Sequence, residues 1–114
     1  MPITQIYTGT ATISTTEYSL VANSTTLTSN TTSGVYQVFV DTSAMASGDE
    51  YTIQIKEKVI SGGTQKSIYS ADLEGTQSSP FVTPTLILMN GWDVTMTEVT
   101  GTARSISWSI RQVA

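Results

Sequence analysis

Between Arg104 and Val113 the residues Ile106, Trp108 and Ile110 alternate with Ser105, Ser107 and Ser109. Successive side chains of a strand point to opposite faces, so this pattern predicts a strand with one buried face and one hydroxyl-lined face. The same alternation runs through Tyr51–Lys56, with Tyr51, Ile53 and Ile55 as the inward set. Continued by two residues, that register puts Glu57 on the buried face ahead of Val59. A strand end, a bulge or a partnered carboxylate must resolve the conflict. Helix is disfavoured throughout: Thr, Ser, Val and Ile dominate, and no long segment repeats its apolar residues at three and four.

Turn signals divide the chain into further strands. Ser61-Gly62-Gly63-Thr64 predicts a tight hairpin turn in which two glycines adopt positive φ, with a return strand from about Gln65 to Leu73. The weaker alternation there, around Ile68, Tyr69 and Ala71, fits a sheet edge or a strand covered on both faces. Lys56, Lys58 and Lys66 gather around this hairpin, where they serve solubility and protect the edge. Pro84–Met89 followed by Asn90-Gly91 predicts a second hairpin with a type I′ turn. Its partner strand starts at Trp92, with Trp92, Val94 and Met96 inward and Asp93, Thr95 and Thr97 outward. A turn at Gly101-Thr102-Ala103 leads into Arg104–Val113 and closes a meander. Gly34–Val40 reads as a central strand with Tyr36, Val38 and Val40 on one face and Val35 and Phe39 on the other. Asp41–Asp49 has room for one short helical turn, ended by Gly48 and Asp49. Ile3, Ile6, Tyr7, Ala11, Ile13, Tyr18, Leu20 and Val21 suggest two or three shorter strands, and Thr25–Ser33 a polar loop.

Seven to nine short strands in 114 residues predict an all-β protein, an antiparallel β-sandwich or small barrel. One domain over residues 1–114 is expected, with residues 1–33 forming an arm or less regular strands. Ser and Thr supply about a third of the chain while only 12% is charged, so polarity comes from hydroxyls, which suits strands. A core of this size without disulfides is modest, and assembly with other copies would help it.

The same composition removes most chemistry. The chain has no Cys and no His, hence no disulfide, no thiolate or imidazole metal site and no nucleophile activated by His. A net charge of -4 has the wrong sign for tracking nucleic acid. The strongly apolar run Leu86–Met89 is far too short to cross a membrane, and Met1–Ile6 does not read as a signal peptide. Asp41, Asp49 and Glu50, with Asp72 and Glu74, lack calcium-loop spacing and are expected to be solvated turn residues. Glu57 and Glu98 are the one pair of carboxylates on nominally apolar faces. Nothing in the sequence joins them as a glycosidase pair would require, and an ion pair with Arg104 or Arg111 is the ordinary alternative. Trp92 and Trp108 lie in phase with aliphatic neighbours, as core residues rather than a carbohydrate platform. Asn23-Ser24-Thr25 and Asn30-Thr31-Thr32 match the glycosylation pattern by chance in a chain so rich in Ser and Thr. No catalytic, cofactor-binding or metal residue is assigned.

The stretch Asn90-Gly91-Trp92-Asp93-Val94-Thr95, followed by Gly101–Arg111, resembles small virion structural proteins of tailed bacteriophages, as do Asp49–Lys58 and Gly63-Thr64-Gln65. In particular the pattern is similar to head decoration, or cement, proteins. The resemblance covers the last two thirds of the chain. It implies a non-enzymatic, β-rich virion module on the capsid surface that binds the major capsid protein, often as a homotrimer, and reinforces the head. A tail or head-to-tail connector subunit and a carbohydrate-binding fibre module are the alternatives. Arg104 and Arg111 are candidate inter-subunit anchors, since Arg is favoured at interfaces.

Overall fold

The computed structural model describes residues 3–113, so the ends of the expected 1–114 domain lie outside the described residues. Nine strands form and no helix is present among those residues. They are β1 (Ile3–Ile13), β2 (Tyr18–Ser19), β3 (Gly34–Asp41), β4 (Glu50–Glu57), β5 (Lys66–Glu74), β6 (Phe81–Val82), β7 (Leu86–Leu88), β8 (Asp93–Thr100) and β9 (Arg104–Val113). Every pairing is antiparallel. One sheet has the order β1-β9-β3, with β6 and β7 sharing the far edge of β3; the second has the order β2-β8-β4-β5. The expected all-β sandwich is therefore the architecture. Its shortest extent is 20 Å, as expected for two sheets about 10 Å apart with their outer side chains.

The alternation in the sequence accounts for the core. Tyr36, Val38 and Val40 from β3 and Ile106, Trp108 and Ile110 from β9 face Tyr51, Ile53 and Ile55 from β4 and Val94 and Met96 from β8, all buried. Full burial of each such aliphatic side chain contributes about 1.5–3 kcal/mol. Trp92 lies between the sheets, edge-on to Tyr7 at 5.8 Å and tilted against Tyr36 at 4.6 Å. Its indole N–H donates to the Thr32 carbonyl, so the ring is buried without an unsatisfied donor.

Several local expectations give way to the tertiary arrangement. The N-terminal part forms two strands, within the number expected, but the first, β1, runs unbroken for eleven residues where shorter strands were expected, and β2 has only two. Asp41–Asp49 holds two turns, closed by Met45 N–H to Thr42 and Asp49 N–H to Ala46, and no helical turn. Neither Gly62 nor Gly63 adopts positive φ: the turn, closed by the Gly63 N–H on the Ile60 carbonyl, starts one residue earlier than expected and sits within an eight-residue connection from Lys58 to Gln65. Asn90-Gly91 is not a hairpin turn: only Gly91 has positive φ, whereas a type I′ turn needs both. The dipeptide carries the chain from β7, which pairs with β3, across to β8 in the other sheet. Likewise β8 and β9 lie in different sheets and form no meander. The hairpin β4–β5 is retained, with β5 as the sheet edge. Glu57 is resolved by all three devices at once. The ladder shifts register between Ile55 and Lys56, β4 ends at Glu57, and the carboxylate is partnered.

Candidate interaction surfaces

Asp41 accepts the Ser43 N–H and Asp72 the Thr52 hydroxyl, and Glu57 and Asp49 are tied into the structure more firmly. Glu57 Oε2 accepts the Met89 and Asn90 N–H groups at 2.6 and 2.8 Å, tying the end of β4 to the β7–β8 crossing. Asp49, almost fully buried, accepts the Arg104 Nε–H at 2.8 Å and the Ala46 and Thr102 N–H groups. The Arg104 guanidinium, helped by these two amides, holds the Asp49 carboxyl down at about 2. Arg104 is thus an internal tie, and its ion-pair partner is Asp49 rather than either glutamate. Glu17 pairs with Lys56 and accepts from Thr95 Oγ1. Burial raises its pKa, but the Lys56 and Thr95 contacts outweigh that and leave it lowered.

Asp93 and Thr95, expected on an outward face, are buried at 0% and 1% exposure. The segment after β1 covers that face of β8. Ser19 Oγ donates to Asp93 at 2.7 Å, and the Thr28 and Val94 N–H groups complete the carboxylate's partners. Burial pushes the Asp93 pKa up against the pull of these donors. No polar side-chain atom is buried without a partner among the described residues.

Glu57 and Glu98 are separated by the β4–β8 register. Glu98 lies opposite Tyr51, six residues from Glu57 along β4, a separation of about 20 Å at 3.3 Å per residue. Carboxylate pairs of glycosidases sit about 5–9.5 Å apart, so these two do not make one. No group of three or more acidic residues among the described residues is placed to hold a metal ion. Trp92 and Trp108 are 0% and 3% exposed, which leaves neither as a stacking platform.

Two surface features remain. On the outer face of the β1-β9-β3 sheet, Arg111 lies over the Phe39 ring at 3.9 Å and donates to Ser109 Oγ. With Gln5, Asp41 and Ser107 these residues line an open depression of about 390 Å³. Arg111 has no carboxylate partner among the described residues, in contrast to Arg104.

The second feature is an apolar end. Val59 and Ile60, in the β4–β5 connection, are 82% and 67% exposed; Ile87 and Met89, at β7, are 79% and 55% exposed. Backbone bonding brings the two segments together: Lys58 N–H donates to the Asn90 carbonyl at 2.9 Å, and Asn90 Nδ2 reaches the Val59 carbonyl. Gln65 Nε2 bridges the Thr28 and Gly91 carbonyls, adding the segment that carries exposed Leu27. Alternation along β4 placed Val59 inward, and only the end of the strand at Glu57 turns it out. Two adjacent aliphatics beside Ser-Gly-Gly were the available sign, since a turn has no interior in which to bury them. No family model matches the chain, and no curated protein matches it.

Proposed function

We propose that this protein is a non-enzymatic decoration module of a tailed-phage head, which binds the major capsid protein on the outer surface and stabilises the shell as a homo-oligomer. The observation that carries the reading is the apolar end formed by Val59, Ile60, Ile87 and Met89, four large apolar side chains held in the open by backbone ties. Exposed apolar side chains gathered at one end of a protein and bordered by polar residues mark an interaction site, and here Lys58, Asn90 and Ser61 border them. Further support is the commitment of Asp49, Glu57 and Asp93 to structural bonds. On a lattice each contact can be weak, because neighbouring sites bound together multiply the affinity.

The test is cosedimentation of the purified protein with mature heads, with peptide mass spectrometry of virions giving its ratio to the major capsid protein. A ratio near unity and loss of binding in Val59→Asp support decoration. That variant's fold is preserved, since a side chain 82% exposed changes stability by only about 0.5 kcal/mol on substitution. A ratio of a few per cent marks a connector, tail or fibre part, and absence from the particle removes every virion reading.

A further inference from the structure

The edge of a sheet presents unpaired N–H and C=O groups, and proteins guard such edges with charge, proline or brevity. Three of the four edges here are guarded. β5 carries Lys66, Asp72 and Glu74. β2 has two residues. β6 and β7 have two and three, with Pro80 and Pro84 beside them. The fourth edge, β1, is eleven residues long and contains no charged residue and no proline. It pairs with β9 on one side, and among the described residues no loop backbone bonds to its other side.

We infer that β1 is a self-association edge, to which β1 of a second copy adds in antiparallel register across a two-fold axis at Thr10. Three observations select a second copy as the occupant. First, the chain carries a net charge of -4, so copies repel wherever charged surfaces meet, and β1 is the long edge at which two copies bring no like charges together. Second, the register shift between Gln5 and Tyr7 and the full burial of Ile13 leave Thr8–Thr12 as the accessible run, in which the exposed Thr8, Thr10 and Thr12 are centred on Thr10. An axis there overlaps the whole run with its copy, and any shift leaves residues unpaired. Third, that register opposes Thr8 to Thr12 and Thr10 to itself on the exposed face, and Gly9 to Ala11 on the inner face. Threonine pairs across strands are favourable, and the small Gly9 and Ala11 leave room for the two copies to approach.

The contact is isologous and joins copies in pairs, whereas a ring of three requires two different complementary patches. It uses the edge opposite to β7 in the sheet order β1-β9-β3-β7, so pairing leaves Ile87 at the apolar end uncovered. The inference does not rest on the capsid reading.

Native mass spectrometry and sedimentation equilibrium test it directly. The unmodified protein is expected at twice the 12.2 kDa chain mass. Thr10→Lys and Thr10→Glu each oppose a charge to itself across the axis and raise the dimer dissociation constant by about tenfold or more, while an equimolar mixture of the two restores pairing. Circular dichroism confirms that each variant is folded. Should either fail to fold, Thr10→Cys replaces them: the chain has no other cysteine, so mild oxidation must give a disulfide-linked pair. A wild-type monomer or trimer, charge variants with unchanged mass, or a Thr10→Cys protein that stays monomeric after oxidation overturns the inference.

Discussion

The Tyr51 hydroxyl accepts the Arg104 N–H at 2.8 Å, joining the second residue of β4 in one sheet to the first residue of β9 in the other. The same oxygen lies 2.9 Å from the Thr102 carbonyl and 3.1 Å from that of Ile13, the two acceptors available to its single proton. One side chain thus satisfies backbone groups at the β8–β9 crossing and at the end of β1, where both sheets close. Asp49 reinforces the corner from below through Arg104 and Thr102.

Tyr51→Phe keeps the buried ring and removes only the oxygen. The Arg104 N–H is then left without its partner, so the expected cost is about 1–3 kcal/mol. Urea denaturation should show a lower midpoint with an unchanged slope.

Acid stability follows from Asp49. Its carboxyl titrates at about 2 in the folded chain against 3.8 ordinarily, so the unfolded state binds more protons between those values. Its contribution is complete above the ordinary value and is lost as pH falls through about 2. Asp93, raised by burial, has the opposite sign: its contribution declines as pH rises from 3.8 through its raised value and is level beyond that. Thermal melts across the acid range should therefore show a fall toward pH 2 that Asp49→Asn flattens, with that variant also less stable at neutral pH.

Gly101→Ala should destabilise by about 1–3 kcal/mol. The position has φ of 101°, and an added Cβ would lie 2.7 Å from the Asp49 Cα, a backbone atom that cannot swing aside. Calorimetry of the variant measures the loss. A neutral result would mean that the β8–β9 crossing relaxes freely.

Both tryptophans should resist acrylamide quenching and emit at short wavelength, because Trp92 and Trp108 are 0% and 3% exposed and donate to the Thr32 and Leu20 carbonyls. Strong quenching in the native state would contradict this burial.

Which residues face inward was legible in the sequence wherever alternation was strict. Ile106, Trp108 and Ile110, Tyr51, Ile53 and Ile55, and Tyr36, Val38 and Val40 are all in the core, because side-chain direction along a strand is a local property of the extended backbone. The all-β class followed from the same local rule. Strand partners were not legible, since a ladder hydrogen bond carries no mark of the residue that makes it. Asn90-Gly91 would turn a hairpin in isolation, yet β7 completes the edge of β3 and β8 enters the other sheet, where each covers part of the core. The same holds for Asp93 and Thr95, polar in an alternating strand and so read as outward, until the segment from Glu17 to Thr28 folded over them and supplied donors and acceptors. The interaction surfaces belong to this second category. β1 is uncharged in any conformation, but that it lies at an edge, and that Val59 and Ile87 share one end, was decided when segments distant in the chain came together.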